Sequence, residues 1–414
     1  MRTLLAAAVA ALVAAPAASA WTTLSTGTLS NIVDPSALRT HSGVELVVYD
    51  NPTGNTISLV RNSGAPRVLV SGDPIAGESQ LVQQPNGAIQ LYFPNALGVA
   101  RLTSSDDGAT WTGPVQTRST DVGGVRAAAV LPDGTPLFSQ DGTGFVNVFE
   151  GLNGETVTNV FPACCGYAES LAVDSSGLAQ IAFWSNANPP QSGYLYGTLG
   201  GAFVDLSGGA ETVSNDNRVP LVADASGDTF GAWFGGYPTP SSFTVQTFRG
   251  GAAVRAVTLW REFRGPSQGA LAPEPDGKLW ALWTAGGAVR AARSRSHGAH
   301  FGAQVHVNLP TGATSYQLEA LARPGSATAI VNVGDRLIAQ KLLPGLAVSL
   351  HRSGAVWIAT VLDDGIGVGS ATAHGGGRTL HANAQGRIVL AGLRRGAFVQ
   401  VTAPGYIGTG FRVP

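Results

Sequence analysis

Short apolar runs separated by glycine-centred turns recur along almost the whole chain, and they come in pairs. One unit reads as an apolar strand, a polar turn ending in glycine, then a second apolar strand. It appears as Ser36–Tyr49, Ser79–Phe93, Arg126–Phe138, Glu169–Trp184, Val219–Phe234, Gly269–Trp283 and, more weakly, Gln317–Val331. The turn glycines are Gly43, Gly87, Gly134, Gly177, Gly227, Gly277 and Gly325, spaced by 44, 47, 43, 50, 50 and 48 residues. A period near this length suits the four-stranded blade of a propeller. The pattern predicts an all-β chain: a seven-bladed β-propeller, with six blades as the alternative, followed by a small β-sandwich. Five units place a large aromatic six residues after the glycine (Tyr49, Phe93, Phe183, Trp233 and Trp283), a position expected to pack between blades rather than bind ligand. The seventh unit shows no fourth strand before Pro344, and Thr22–Thr26 is expected to supply it. Closing the ring that way removes an exposed sheet edge.

The start of the chain changes the picture. Met1-Arg2-Thr3, an apolar run from Leu4 to Ala15 and the Ala18-Ser19-Ala20 ending read as a signal peptide. The division is 1–20 signal peptide, 21–343 propeller and 344–414 sandwich, in a secreted, extracellular protein. Among 414 residues there are 55 glycines and 24 prolines, with 12% charged and 44% hydrophobic positions, which excludes both a disordered chain and a long-helix protein. The formal net charge of −1 leaves no footprint for nucleic acid, and no membrane insertion is expected. A monomer is expected, with no cofactor and no metal.

Ser104-Ser105-Asp106-Asp107-Gly108-Ala109-Thr110-Trp111 fits S-x-D-x-G-x-T-W at every fixed position, and Ser294–Phe301 is a degenerate copy with Ser296 where the aspartate would stand. The chain thereby resembles the Asp-box (BNR-repeat) propellers, whose best-known members are the sialidases. The resemblance implies that Ser104, Asp106, Gly108 and Trp111 are structural, on the face opposite the ligand. It also implies a bacterial sialidase-like protein, yet the family's early Arg-Ile-Pro motif is missing from the first unit; Arg218-Val219-Pro220 is nearest and stands in the fifth. Residues 356–413, ending Val399-Gln400-Val401-Thr402-Ala403-Pro404-Gly405-Tyr406 and beyond, resemble the carboxypeptidase-regulatory or transthyretin-like β-sandwich, a module that is usually non-catalytic.

Candidate chemistry collects at the starts of the innermost strands, eight or nine residues before each turn glycine: Asp34, Glu78, Arg126, Glu169, Arg218, Gln268 and Tyr316. Asp34, Glu78 and Glu169 are the candidate catalytic carboxylates. Arg126, Arg218, Tyr167, Trp184 and Tyr316 are candidate ligand contacts, with Tyr237 near the same face. Arginines there can grip an anionic sugar and aromatics can stack on sugar rings; ordinary loop polarity and packing are the competing readings. Cys164 and Cys165, the only cysteines, form a vicinal disulfide, remain two thiols or link two chains. His297, His300 and His306 carry no metal-ligand pattern, and Asp106-Asp107-Gly108 and Asp363-Asp364-Gly365 read as turns. The sequence thus predicts a carbohydrate-binding or scaffold propeller, the alternative being a sialidase-like glycoside hydrolase acting on extracellular polysaccharide or glycoconjugate.

Overall fold

A computed structural model describes residues 21–26, 33–51, 54–72, 78–120, 123–142, 145–161, 166–186, 192–207, 218–236, 241–262, 268–311 and 315–414. For Asp34 and Tyr316 the description extends to the backbone only. The signal-peptide residues 1–20, Cys164, Cys165 and Tyr237 lie outside the described residues.

The described residues contain no helix and form nine four-stranded sheets, all antiparallel within themselves. Seven are blades. Their first strands are Val33–Arg39, Gln80–Gln83, Val125–Val130, Gly166–Val173, Leu221–Ala223, Gly269–Pro273 and Ser315–Arg323. Each touches the first strand of the next blade, and the seventh touches the first, so these strands form the closed inner ring of a propeller. The seven turn glycines sit at φ between +77° and +93°, a region that a side chain disfavours and that keeps every first hairpin equally tight.

The last blade is completed as the pattern predicts. Thr22–Ser25 pairs antiparallel with Arg336–Leu342, Thr22 opposite Ala339 and Thr23 opposite Ile338. Leu24 enters an apolar cluster with Val47, Tyr49, Ile330 and Leu337, and the Tyr49 hydroxyl donates to Ser25 Oγ at 2.8 Å. The first and last blades are therefore held by one strand. Between blades five and six, Trp283 stacks on Phe243 at 5.4 Å, with Trp260 beside it at 6.4 Å.

The remaining two sheets share one apolar core containing Val361, Ala373, Ile388, Val399, Val401 and Phe411. One holds Ala347–Ser353, Val356–Asp363, Ile366–Gly367 and Arg387–Val389; the other holds Thr372–Gly375, Arg378–His381, Phe398–Thr402 and Thr409–Arg412. This sandwich docks on blade six. Gly345 bridges to Ala303 and Ile407. Arg293 is buried in an ion pair with Asp363 of the sandwich, a second carboxylate, Glu274, lies at 3.5 Å, and the guanidinium lies 5.6 Å from the Tyr406 ring centroid. Burial works against the Arg293 charge, but the two carboxylates and Tyr406 outweigh it and raise the pKa above the usual arginine value.

Two hairpins show what the sandwich contributes there. In blade two, Ser104 Oγ accepts the Gly108 amide at 2.9 Å, while Asp106 accepts the Thr110 amide at 2.7 Å and the Thr110 hydroxyl at 2.6 Å. In blade six, Ser294 Oγ accepts the Gly298 amide at the same 2.9 Å. Ser296, in place of the aspartate, still accepts the His300 amide at 3.1 Å but brings no charge to the turn. Asp364 of the sandwich supplies the carboxylate, accepting the Arg295 amide at 2.7 Å and the Ser296 hydroxyl at 2.8 Å. The degenerate turn is completed by the second domain.

Candidate functional site at the mouth of the axial channel

The seven inner strands run the same way along the ring, so their starts share one face. The glycine hairpins and the Ser104–Trp111 hairpin share the other, as the 2.8 Å bond from Ser42 Oγ to Asp107 attests. The candidate contacts and the Asp106 turn are thus on opposite faces, as expected from the strand order.

The inner strands do not run smoothly into this mouth. Register shifts interrupt pairing between Val33 and Ser36, Val125 and Ala127, Tyr167 and Ser170, and Ser315 and Gln317. Asp34, Arg126, Glu169 and Tyr316 are residues inside these four irregularities. A β-bulge re-aims a side chain that regular alternation would fix. In blade four the bulge is sharp: Ala168, next to Glu169, has φ +60°, and its carbonyl accepts the Val219 amide of blade five at 3.0 Å. The Glu78 carbonyl accepts the Val125 amide of blade three at 2.9 Å in the same manner. Backbone bonds between neighbouring blades hold the mouth residues in place.

The side chains form pairs. Glu78, buried, makes an ion pair with Arg126 of the next blade. Arg218 of blade five pairs with Glu319 of blade seven at 2.6 Å, and both line one cavity with Gly269 of blade six. Asp50, at the end of the second strand of blade one, accepts the Ser79 hydroxyl at 2.6 Å. Glu169 is fully buried, and Gln268 is buried with its carbonyl accepting the Thr284 amide at 3.0 Å. Tyr167 and Trp184 face each other across a strand pair, ring centroids 6.0 Å apart and tilted by 33°. The sequence allowed Arg126 and Arg218 to flank Glu169 from the neighbouring blades; the ion pairs described for them run from Arg126 to Glu78 and from Arg218 to Glu319.

Below the mouth the channel encloses a cavity of about 220 Å³, lined by Gln80, Ser170, Arg218 and Glu319 with small apolar residues between them. Gln80 and Ser170 are only 5% and 4% exposed, yet Gln80 Nε2 and Ser170 Oγ have no protein partner. The same holds for Arg218 Nε and Nη2. Buried polar atoms left without partners cost about 1–3 kcal/mol each, so such a group of them marks a place meant for a polar guest or ordered water. Sequence reasoning missed Glu319, Asp50, Gln80 and Ser170. Glu319 stands six residues before its glycine rather than eight or nine, and Asp50 lies on a second strand.

On the opposite face, hydrogen bonds from the Thr110 side chain and amide hold the Asp106 carboxyl down at about 2, from an ordinary 3.8. His297 Nδ1 lies 2.9 Å from Asp224 of the neighbouring blade, which gives this turn histidine a packing role. No group of three or more metal-ligating side chains occurs among the described residues.

No family model matches the chain, and no curated protein matches it. Among solved structures, a streptogramin B lyase superposes with a TM-score of 0.51 at 14% identity, covering 78% of this chain and 97% of that one. A catalytically inactive virginiamycin B lyase from Staphylococcus aureus, with quinupristin, gives 0.50 at 12% identity over 77% and 97%. The NanB sialidase from Streptococcus pneumoniae gives 0.47 at 10% identity, covering 70% of each chain. The first two establish the likeness, and at such identities it is one of fold: the chain is a β-propeller with an added β-sandwich.

Proposed function

We propose that this is a secreted glycan-recognising propeller of the Asp-box type, binding its ligand at the channel mouth opposite Trp111. The observation that carries this reading is a convergence at one mouth. The Tyr167–Trp184 ring pair lies on the first hairpin of blade four, whose Ser170 lines the cavity; there the buried Gln80 and Ser170 and the half-buried Arg218 hold unpartnered polar atoms. Aromatic faces with a few fixed polar groups are what a sugar ring requires. The Ser104–Trp111 hairpin, with Asp106 bonded across the turn, supports the Asp-box assignment; the two-sheet module from Ala347 onward supports a carboxypeptidase-regulatory-like partner domain.

Binding is favoured over hydrolysis. Cleaving a glycosidic bond needs one carboxyl group free to give a proton and a second placed for attack. Of the candidate carboxylates whose side chains are described, Glu78 is ion-paired with Arg126 and Glu169 is fully buried. The test is a glycan array run on residues 21–414 together with chromogenic glycosides. Array binding without chromophore release is expected, and Trp184→Ala is expected to weaken it about tenfold, or about 1.4 kcal/mol. Chromophore release that Glu169→Gln abolishes would establish the sialidase-like hydrolase. Failure to bind any glycan would overturn the reading.

A further inference from the structure

We propose that the sandwich carries a second binding surface, for an acidic polysaccharide, at its end pointing away from blade six. This surface is independent of the channel mouth. Charge is divided unevenly along the chain. Residues 21–343 hold 18 basic and 24 acidic side chains, a formal −6, whereas residues 344–414 hold six arginines and only two acids, Asp363 and Asp364. Both acids are buried against blade six, where Asp363 pairs with Arg293 and Asp364 accepts the Arg295 amide. Arg352, Arg378, Arg387, Arg394, Arg395 and Arg412 are all exposed, and none of them is in an ion pair. The overall charge of −1 therefore conceals a domain whose outer surface bears six cations and no acidic side chain.

Strand direction gathers five of the six. Asp363 and Tyr406 mark the end at blade six, so the turn from Ser353 to Val356 and the loop before Phe398 lie at the other end. Gly375 faces Val399 and Arg412 faces Phe398, which brings Arg378 and Arg412 to that same end. The 390–397 loop is the meeting point. It carries Arg394 and Arg395; its Ala391 carbonyl accepts Arg378 Nη1 at 3.4 Å, and its Gly396 carbonyl accepts Arg412 Nη1 at 3.0 Å. A Cβ at Gly392 would stand 2.6 Å from Arg378 Nη1, so glycine there lets the guanidinium lie on the loop. Arg352 is braced likewise by the Gly354 carbonyl at 3.1 Å. The rest of each fork is left to grip carboxylates. Such an end attracts any polyanion, and its other features select the polysaccharide. Phe398 is 43% exposed opposite Arg412, and its ring lies over Gly410, where a side chain would collide. An open ring beside a guanidinium fits the apolar face and the carboxylate of a uronic acid. The loop tips here are Gly354-Ala355, Gly376-Gly377 and the 391–397 loop, whose Leu393 packs on the core, so they offer no apolar wedge for a membrane. DNA, with a charge every ~1.7 Å of axis, meets more repulsion from the acidic propeller than a chain with one charge per sugar.

The experiment measures binding of residues 21–414 to polygalacturonate, with neutral dextran, phosphatidylglycerol vesicles and single-stranded DNA as the other probes. Polygalacturonate is expected to bind about tenfold more tightly than any of these, and its affinity should fall about tenfold between about 50 and about 300 mM salt. Arg394→Ser combined with Arg395→Ser should weaken binding about tenfold, and Phe398→Ala about threefold with the salt dependence kept. The Arg394 and Arg395 side chains make no hydrogen bond or ion pair, so the double variant should melt like the parent. Arg336→Ser, which removes a half-exposed arginine of blade seven, should leave binding unchanged. Full binding by the double variant, an equal loss from Arg336→Ser, or affinity indifferent to salt overturns the proposal. Vesicles or DNA held as tightly as polygalacturonate overturn the choice of partner, and silence with all four probes overturns the surface itself. None of these outcomes touches the reading of the mouth.

Discussion

Asp106 shows how little a residue's exposure says about its part in the fold. Its carboxylate is open to solvent, yet it accepts the amide and the hydroxyl of Thr110 and the hydroxyl of Ser104. These bonds favour the charged form and depress the pKa from 3.8 to about 2. A carboxyl group with a depressed folded-state pKa stabilises the fold above its unfolded pKa, and that contribution is lost as pH falls through the folded value. Asp106→Asn should therefore melt lower than the parent at pH 6, and the gap should close between about pH 4 and 2. Thermal melts of both proteins across that range would show it. Ligand affinity of the folded variant should match the parent, because the turn and the mouth lie on opposite faces. Weakened binding with unchanged melting would put the site on the wrong face. His297 belongs to the same scale: it stands in the degenerate turn of blade six and reaches Asp224 in the neighbouring blade, a contact that no spacing rule anticipates.

At the scale of elements, the turn glycines and apolar runs made the blades legible because both follow from local chemistry: positive φ at the turn and continuous burial of second strands such as Glu45–Asn51 and Leu279–Ala285. The same is true of the missing fourth strand, inferred from an absence in the last unit and found at Thr22–Ser25. The bulges were not legible. A register slip of one residue depends on how neighbouring blades bond to one another, as the Val219 amide does to the Ala168 carbonyl, and nothing local encodes it. Hence the strand starts that ring this face were legible, while the pairs Arg126–Glu78 and Arg218–Glu319 were not. The closing strand gives a direct test. Leu24→Ala should cost about 3 kcal/mol, because the side chain is buried between the first and last blades. Removing residues 21–26 should do more, leaving Arg336–Leu342 as an open edge and producing a protein that aggregates on warming. Light scattering during a thermal ramp distinguishes the two; a deletion variant that melts like the parent would mean that the ring holds without this strand.

For the molecule as a whole, the sandwich emerges as part of the propeller's stability rather than a tethered appendage. Arg293 and Glu274 of blade six are buried, and Asp363 of the sandwich is the closest partner of that arginine. Removing one member of such a buried group costs about 3 kcal/mol, so a chain ending at Leu343 should melt well below the full-length protein. Asp364 permits a sharper test, because it stands in for the aspartate that Ser296 replaces. Ser296→Asp in the intact protein sets two carboxylates against each other at one hairpin and should destabilise it. Asp364→Ala should also destabilise, leaving the Arg295 amide and the Ser296 hydroxyl without their acceptor. Combined, the two substitutions return a carboxylate to the hairpin from its own strand, by the geometry that Asp106 uses in blade two. The double variant should therefore be more stable than the sum of the single changes predicts, by about 1–2 kcal/mol. Ser296→Asp should likewise raise the melting temperature of the chain ending at Leu343, where no Asp364 opposes it. Strict additivity in the first comparison, and no rescue in the second, would mean that Asp364 merely touches the turn without completing it.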